Sequence, residues 1–285
     1  MDQDVDRARI AGLASAAAAQ LPTDFDVSRA AAFFDVDNTI MRGASLFHVA
    51  VGMARRNFFS ARELAGFGLA QARFLMRGTE NADDMALATE SALTFVQGKR
   101  VDEIIAFGQE IFDESMVDKL IPGTLALAQA HVEAGRQVWL VTATPIELAQ
   151  VIARRLGLTG ALGTVSEIED GCYTGRLVGA PLHGKAKAEA VIALAEREGL
   201  DLGTCWAYSD SRNDIPLLSC VGNPVVVNPD PRLRAHATVN SWPIEDFRAR
   251  AHMRRLSGPA AAAAGGLAAG LAVGYIAALA RRGAR

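Results

Sequence analysis

The chain has 285 residues, 50% of them hydrophobic, which suits one good-sized core or a core with a smaller companion. A formal net charge of -3 leaves no basic field that would gather nucleic acid. Cys172, Cys205 and Cys220 show no CxxC or Cys/His spacing, which argues against a disulfide framework or a zinc site and fits a reducing compartment.

Residues 1–26 are rich in Ala and Asp and read as an N-terminal arm or a loosely packed helix; they lack the apolar core of an export signal. AAAFFD (30–35) is short and continuously apolar, as a buried strand is. QVWLVT (137–142), CWAYSD (205–210) and PVVVN (224–228) look alike. Helical patterns lie between them, PIELAQVIARRLGL after the second strand and KAKAEAVIALAEREGL before the third. This alternation predicts an α/β fold with a parallel, Rossmann-like sheet.

The interval between Thr39 and Thr142 is far longer than the dozen or so residues a crossover needs. Its excess, 44–118, is rich in Ala, Leu, Phe and Met with helical spacing, and predicts an inserted helical cap; the core is then 27–43 and 119–250. The cap arginines (Arg55, Arg56, Arg62, Arg73, Arg77) read as solvated faces, with one or two available to substrate. GTVSEIEDGCYTGRLVG (163–179) carries DG and TG among β-branched residues and predicts a small hairpin.

Ala260–Ala280 holds no charge and has arginines on both sides. It is expected to form a C-terminal hydrophobic helix, long enough to span a bilayer and hold the body at the cytoplasmic face; the alternative is a helix packed on the body of a cytoplasmic protein. Gly266, Gly270 and Gly274 would let two such helices approach, which allows a homodimer.

The first three strands end in Asp or Thr, and parallel sheets bind ligands beyond their carboxyl ends. Asp35, Asp37, Thr142, Asp210 and Asp214 would therefore meet at one mouth. So many carboxylates repel unless a hard cation joins them, and Mg²⁺ prefers such oxygen ligands. Lys187, at a helix start, offers a compact positive charge for a phosphate oxygen, and Lys185 is its rival there. A metal, a lysine and hydroxyl or N–H donors are what a transferring phosphoryl group needs. One Asp can attack phosphorus, and a second can protonate the leaving alkoxide and then deprotonate water.

DVDNT (35–39), VWLVT ending at Thr142, Lys187 in GKAKAEAV, and SDSRND with Asp210 and Asp214 occur in this order. Together they resemble the four motifs of the haloacid dehalogenase superfamily, and the helical insertion is similar to its phosphoserine-phosphatase-like branch, subfamily IB. The resemblance implies Asp35 as nucleophile and metal ligand, and Asp37 as acid/base with its carbonyl on the metal. It implies Asp210 as a further metal ligand, Asp214 as a support for metal or its water, and Thr142, Lys187 and Asn213 at the phosphate. Two departures stand out. Ala44, followed by Ser45, occupies the place of a Glu that meets the substrate amine in phosphoserine phosphatases, and Ser209 and Ser211 replace the two glycines of the fourth motif, GDGxND.

The expected function is therefore a Mg²⁺-dependent phosphatase acting on a small or lipid-linked phosphomonoester. A phosphotransferase or phosphomutase on the same site, and a membrane-anchored regulator with an idle fold, are the alternatives.

Overall fold

The computed structural model describes residues 2–19, 29–56 and 96–247. Eight strands are formed among them: β1 Ala31–Phe34, β2 Gln137–Pro145, β3 Gly160–Thr164, β4 Ser166–Glu169, β5 Cys172–Leu177, β6 Trp206–Ser209, β7 Asn223–Val227 and β8 Ile244–Glu245. Six of them make one parallel sheet in the order β3-β2-β1-β6-β7-β8. The chain moves outward from β1 in one direction through β2 and β3, then in the other through β6, β7 and β8. The order reverses between β1 and β6, where open parallel sheets leave a crevice for ligand.

The helices are α1 Asp2–Ala18, α2 Ser45–Arg55, α3 Val101–Ile111, α4 Pro122–Glu133, α5 Ile146–Arg155, α6 Lys185–Glu198, α7 Ile215–Ser219 and α8 Pro231–Val239. Alternate residues of each strand face opposite layers. Phe33, Trp139, Val141, Leu162, Ala207 and Val226 join a core with α1, α6, α7 and α8. On the other face Phe34 stacks on Tyr208 with ring centroids 4.2 Å apart, and His131 of α4 hydrogen-bonds the Tyr208 hydroxyl at 2.8 Å.

The hairpin expected within 163–179 is β4–β5, turned by Asp170 (φ 48°) and Gly171 (φ 76°). Two successive positive φ angles are what a tight I′ turn requires, and Asp-Gly supplies them. Two strands escape the sequence reading. β3 is glycine-rich, and β8 is a two-residue edge.

At the N-terminus the helical reading holds, over Asp2–Ala18, but not the loose packing. α1 is a docked helix rather than a loose segment: Ala11, Ser15 and Ala16 are buried, and Gly12 lies against the backbone of Ala190 in α6. Ser15 Oγ accepts from the Gly163 N–H at 2.9 Å, and Gln150 donates to the Ala18 carbonyl at 3.1 Å. An Ala-rich helix carries only a weak amphipathic signal, so its docking face was not legible.

The insertion between β1 and β2 is helical at both described ends. Gly52 of α2 rests on Ile111 of α3, and Arg56 pairs with Glu110 and Glu114. Arg62, Arg73 and Arg77 lie outside the described residues. So does the hydrophobic helix expected over 260–280. Among the described residues, no helix is long and apolar enough to cross a membrane.

Candidate active site

Strand register sets the level of each acidic residue. Phe34 is paired with Leu140 on one side and Tyr208 on the other. The next positions, Asp35, Val141 and Ser209, share a level, and Thr142 and Asp210 stand one step beyond. The Asp35 N–H still donates to the Tyr208 carbonyl at 2.9 Å, so β1 holds the first carboxylate rigidly at its end.

Lys187 reaches this carboxylate from the first turn of α6. Its Nζ donates to Asp35 Oδ1 at 2.6 Å and to Asp214 Oδ2 at 2.8 Å. Lys187 is buried while Lys185 is exposed, because the two lie on different faces of α6. Asp214 Oδ2 also accepts from Ser209 Oγ at 2.7 Å, and Thr39 Oγ1 donates to Asp210 Oδ1 at 3.4 Å. Asp37 is clamped from the start of α2: Ser45 donates both its N–H (2.8 Å) and its hydroxyl (2.5 Å) to Asp37 Oδ1.

Thr142 is buried at the end of β2 and bonds within its own strand, its hydroxyl donating to Thr144 Oγ1 at 3.2 Å. Asn213 lies in the short turn Arg212–Asp214, with its N–H on Ser211 Oγ at 3.2 Å. Its side chain makes no hydrogen bond among the described residues. Ser211, in place of the motif's second glycine, thus serves as the N-cap of that turn.

The charges are unbalanced. Burial pushes Asp35 up to about 7 against the pull of Lys187, with Asp214 and Asp37 adding to the rise. Burial, then Asp35 and Asp214, push Asp210 up to about 8. Burial alone would lower Lys187, yet Asp214 and Asp35 raise it above its ordinary value. One lysine thus does not neutralise the acids around it. Asp214 Oδ1 is moreover buried without a hydrogen-bond partner.

These features fit a hard divalent cation: two carboxylates that burial and their acidic neighbours push above the usual range, and an unpartnered carboxylate oxygen beside them. No three His, Cys, Asp or Glu side chains among the described residues already form a metal cage. The expected set does not require one, since it combines Asp35, Asp210 and the main-chain carbonyl of Asp37.

Sequence reasoning missed Ser45, Thr144, Ser209 and Thr39 as members of this network. Thr39 lay inside the first motif and Ser209 inside the fourth. Ser45 and Thr144 gave no local signal, because they are 99 positions apart and meet only in the fold.

A profile of haloacid dehalogenase-like hydrolases matches residues 32–219. The chain is 54% identical over 253 residues to the phosphoserine phosphatase SerB1 of Mycobacterium tuberculosis H37Rv, covering 89% of this chain and 80% of that one. A crystal structure of a protein of unknown function from Bordetella pertussis Tohama I superposes with a TM-score of 0.68 at 30% identity, over 78% of this chain and 100% of that one. A substrate-bound phosphoserine phosphatase complex shares the fold, with a TM-score of 0.53 at 17% identity over 81% of this chain and 99% of that one.

Proposed function

We propose that this chain, a phosphoric monoester hydrolase belonging to the haloacid dehalogenase-like family, cleaves its substrate in two steps through an aspartyl phosphate on Asp35. The observation that carries this reading is the Lys187 bridge, which ties Asp35 to Asp214 at 2.6 and 2.8 Å beside the switch point of the sheet.

In the first step an Asp35 carboxylate oxygen bonds to phosphorus as the P–O ester bond breaks. A proton passes from Asp37 to the departing alkoxide. In the second step Asp37 takes a proton from water, the water oxygen bonds to phosphorus, and the acyl phosphate bond breaks to return Asp35 and release phosphate. Lys187 holds Asp35 in place and offsets phosphoryl charge. Thr142 and Asn213 would hold phosphate oxygens. A Mg²⁺ held by Asp35, Asp210 and the Asp37 carbonyl, and supported by Asp214, would neutralise charge on the transferring group.

The name of the mycobacterial relative makes phosphoserine the first substrate to try. Ala44 has no carboxylate for the substrate ammonium, so an amine would need a partner elsewhere in the chain. Attachment to a membrane through 260–280 rests on the sequence alone. The regulator alternative is set aside, since the chain belongs to a hydrolase family and its acids, lysine and hydroxyls are gathered in one place.

The test is turnover of phosphoserine, lysophosphatidic acid and an aryl phosphate, with Mg²⁺ and with EDTA, by wild type and Asp35→Asn. The amide is nearly isosteric but cannot attack, so a loss of at least ~10³-fold is expected with an unchanged fold. Turnover by Asp35→Asn within tenfold of wild type would remove the aspartyl phosphate.

A further inference from the structure

Four side chains from three separate segments form an unbroken line of hydrogen bonds that the two-step chemistry above leaves unassigned. Thr142 Oγ1 donates to Thr144 Oγ1 at 3.2 Å, Thr144 Oγ1 meets Ser45 Oγ at 2.6 Å, and Ser45 Oγ donates to Asp37 Oδ1 at 2.5 Å. Each hydroxyl has one proton. The Ser45 proton is engaged by Asp37, so Thr144 is the donor in the middle contact. All three hydroxyls then point the same way, and the line ends on a single carboxylate oxygen. That oxygen also receives the Ser45 N–H at 2.8 Å, the first amide of α2. Ser45 and Thr144 are almost wholly buried, at 0% and 1% exposure, so water does not compete for these contacts.

An oxygen that accepts two donors has no room for a proton of its own. When Asp37 is the acid, its proton must therefore sit on Oδ2, which has no protein partner among the described residues. From this geometry we infer that Ser45 and Thr144 are positioning residues: they lock the Asp37 carboxyl so that Oδ2 alone carries and receives the proton in both steps. The line also links Asp37 to Thr142, so the proton-transfer group and the strand end expected at the phosphate share one fixed frame. The inference rests on the acid/base role proposed for Asp37.

Leaving-group chemistry tests it. An alkyl alkoxide needs the acid's proton as it departs, whereas p-nitrophenolate leaves without one. The ratio kcat/KM reports events up to that departure. Ser45→Ala is expected to lower kcat/KM for glycerol 2-phosphate by about 10- to 100-fold while that for p-nitrophenyl phosphate stays within about threefold. Ser45→Thr, which keeps the hydroxyl, should restore the alkyl substrate. Thr144→Val should give the same selective loss at smaller size, and Thr144→Ser should reverse it, so the test survives if Ser45→Ala folds poorly. Equal losses on both substrates, or no recovery with the retained hydroxyl, would overturn the inference. Asp37→Asn separates the two levels. If it fails to discriminate between the substrates, the acid role itself falls; if it discriminates and the Ser45 and Thr144 variants do not, only the positioning role falls.

Discussion

Lys187 Nζ stands between Asp35 Oδ1 and Asp214 Oδ2, 2.6 and 2.8 Å away, and all three side chains are at most 7% exposed. Two buried acids at this spacing do not tolerate loss of the cation between them. Lys187→Met is expected to destabilise the metal-free protein by about 3 kcal/mol in urea unfolding, the scale of stranding a buried charge. Turnover should fall at least ~10²-fold, because Asp35 loses both its anchor and the charge facing the phosphoryl group. Lys187→Arg should recover little, since a planar fork does not fit a slot shaped for an ammonium.

Metal dependence follows from the acids that Lys187 leaves unneutralised. Mg²⁺ should raise the melting temperature by mass action, and EDTA should lower it and stop turnover. Asp210→Asn should weaken the Mg²⁺ response at least ~10-fold, read by titrating Mg²⁺ against the thermal shift. Ca²⁺ is expected to bind and to inhibit, because its larger, looser oxygen shell can draw both oxygens of Asp35 away from attack. A melting temperature indifferent to Mg²⁺ would contradict this.

His131 sets an acid limit on stability at a distance from the chemistry. Burial, with Arg136 nearby, lowers it to about 4, and its Nδ1 has no partner. The fold therefore keeps it neutral, while the unfolded chain takes up a proton below its ordinary value of 6.5. The stabilisation is full above that value and is lost as the pH falls toward the folded one. The melting temperature should drop between pH 6.5 and pH 4, and His131→Phe should flatten that drop.

Gly163 in β3 packs where no side chain fits. A Cβ there would lie 2.6 Å from Ile146 Cα and 2.7 Å from the Thr144 carbonyl oxygen, both main-chain atoms. Gly163→Ala should cost about 1–3 kcal/mol through overpacking. It should also reduce turnover by up to ~10²-fold, because the displaced backbone carries Thr144. Denaturant unfolding and steady-state rates on the same preparation check both.

Residues that act through their own strand end were legible in the sequence. Asp35 and Asp210 close largely apolar runs, and a run of that kind announces both a strand and the place where it stops; Asp37 and Asp214 follow them by two and four positions. Lys187 was separable from Lys185 only once α6 had a definite buried face, since helical phase decides which of two neighbouring lysines enters the core. The Ser45–Thr144 contact and the docking of Ser15 onto Gly163 left no trace, because each joins distant segments through small polar groups without periodicity. β3 was hidden by its own requirement: the glycine that lets it pack against Thr144 also weakens its strand signal, and Gly163 and Thr164 were drawn into the expected hairpin.

Met41 bridges Leu120, and the Arg42 N–H donates to the Lys119 carbonyl at 2.8 Å. The chain thus departs after β1 and returns ahead of α4 at adjacent points, and the inserted segment starts and ends on a short paired stem. Closing a longer segment on such a stem adds entropy only with the logarithm of its length. Descent can therefore extend, trim or exchange the suspended segment while the bond-breaking face keeps its geometry. The sheet and the inserted segment are left free to diverge at separate speeds, from one graft point.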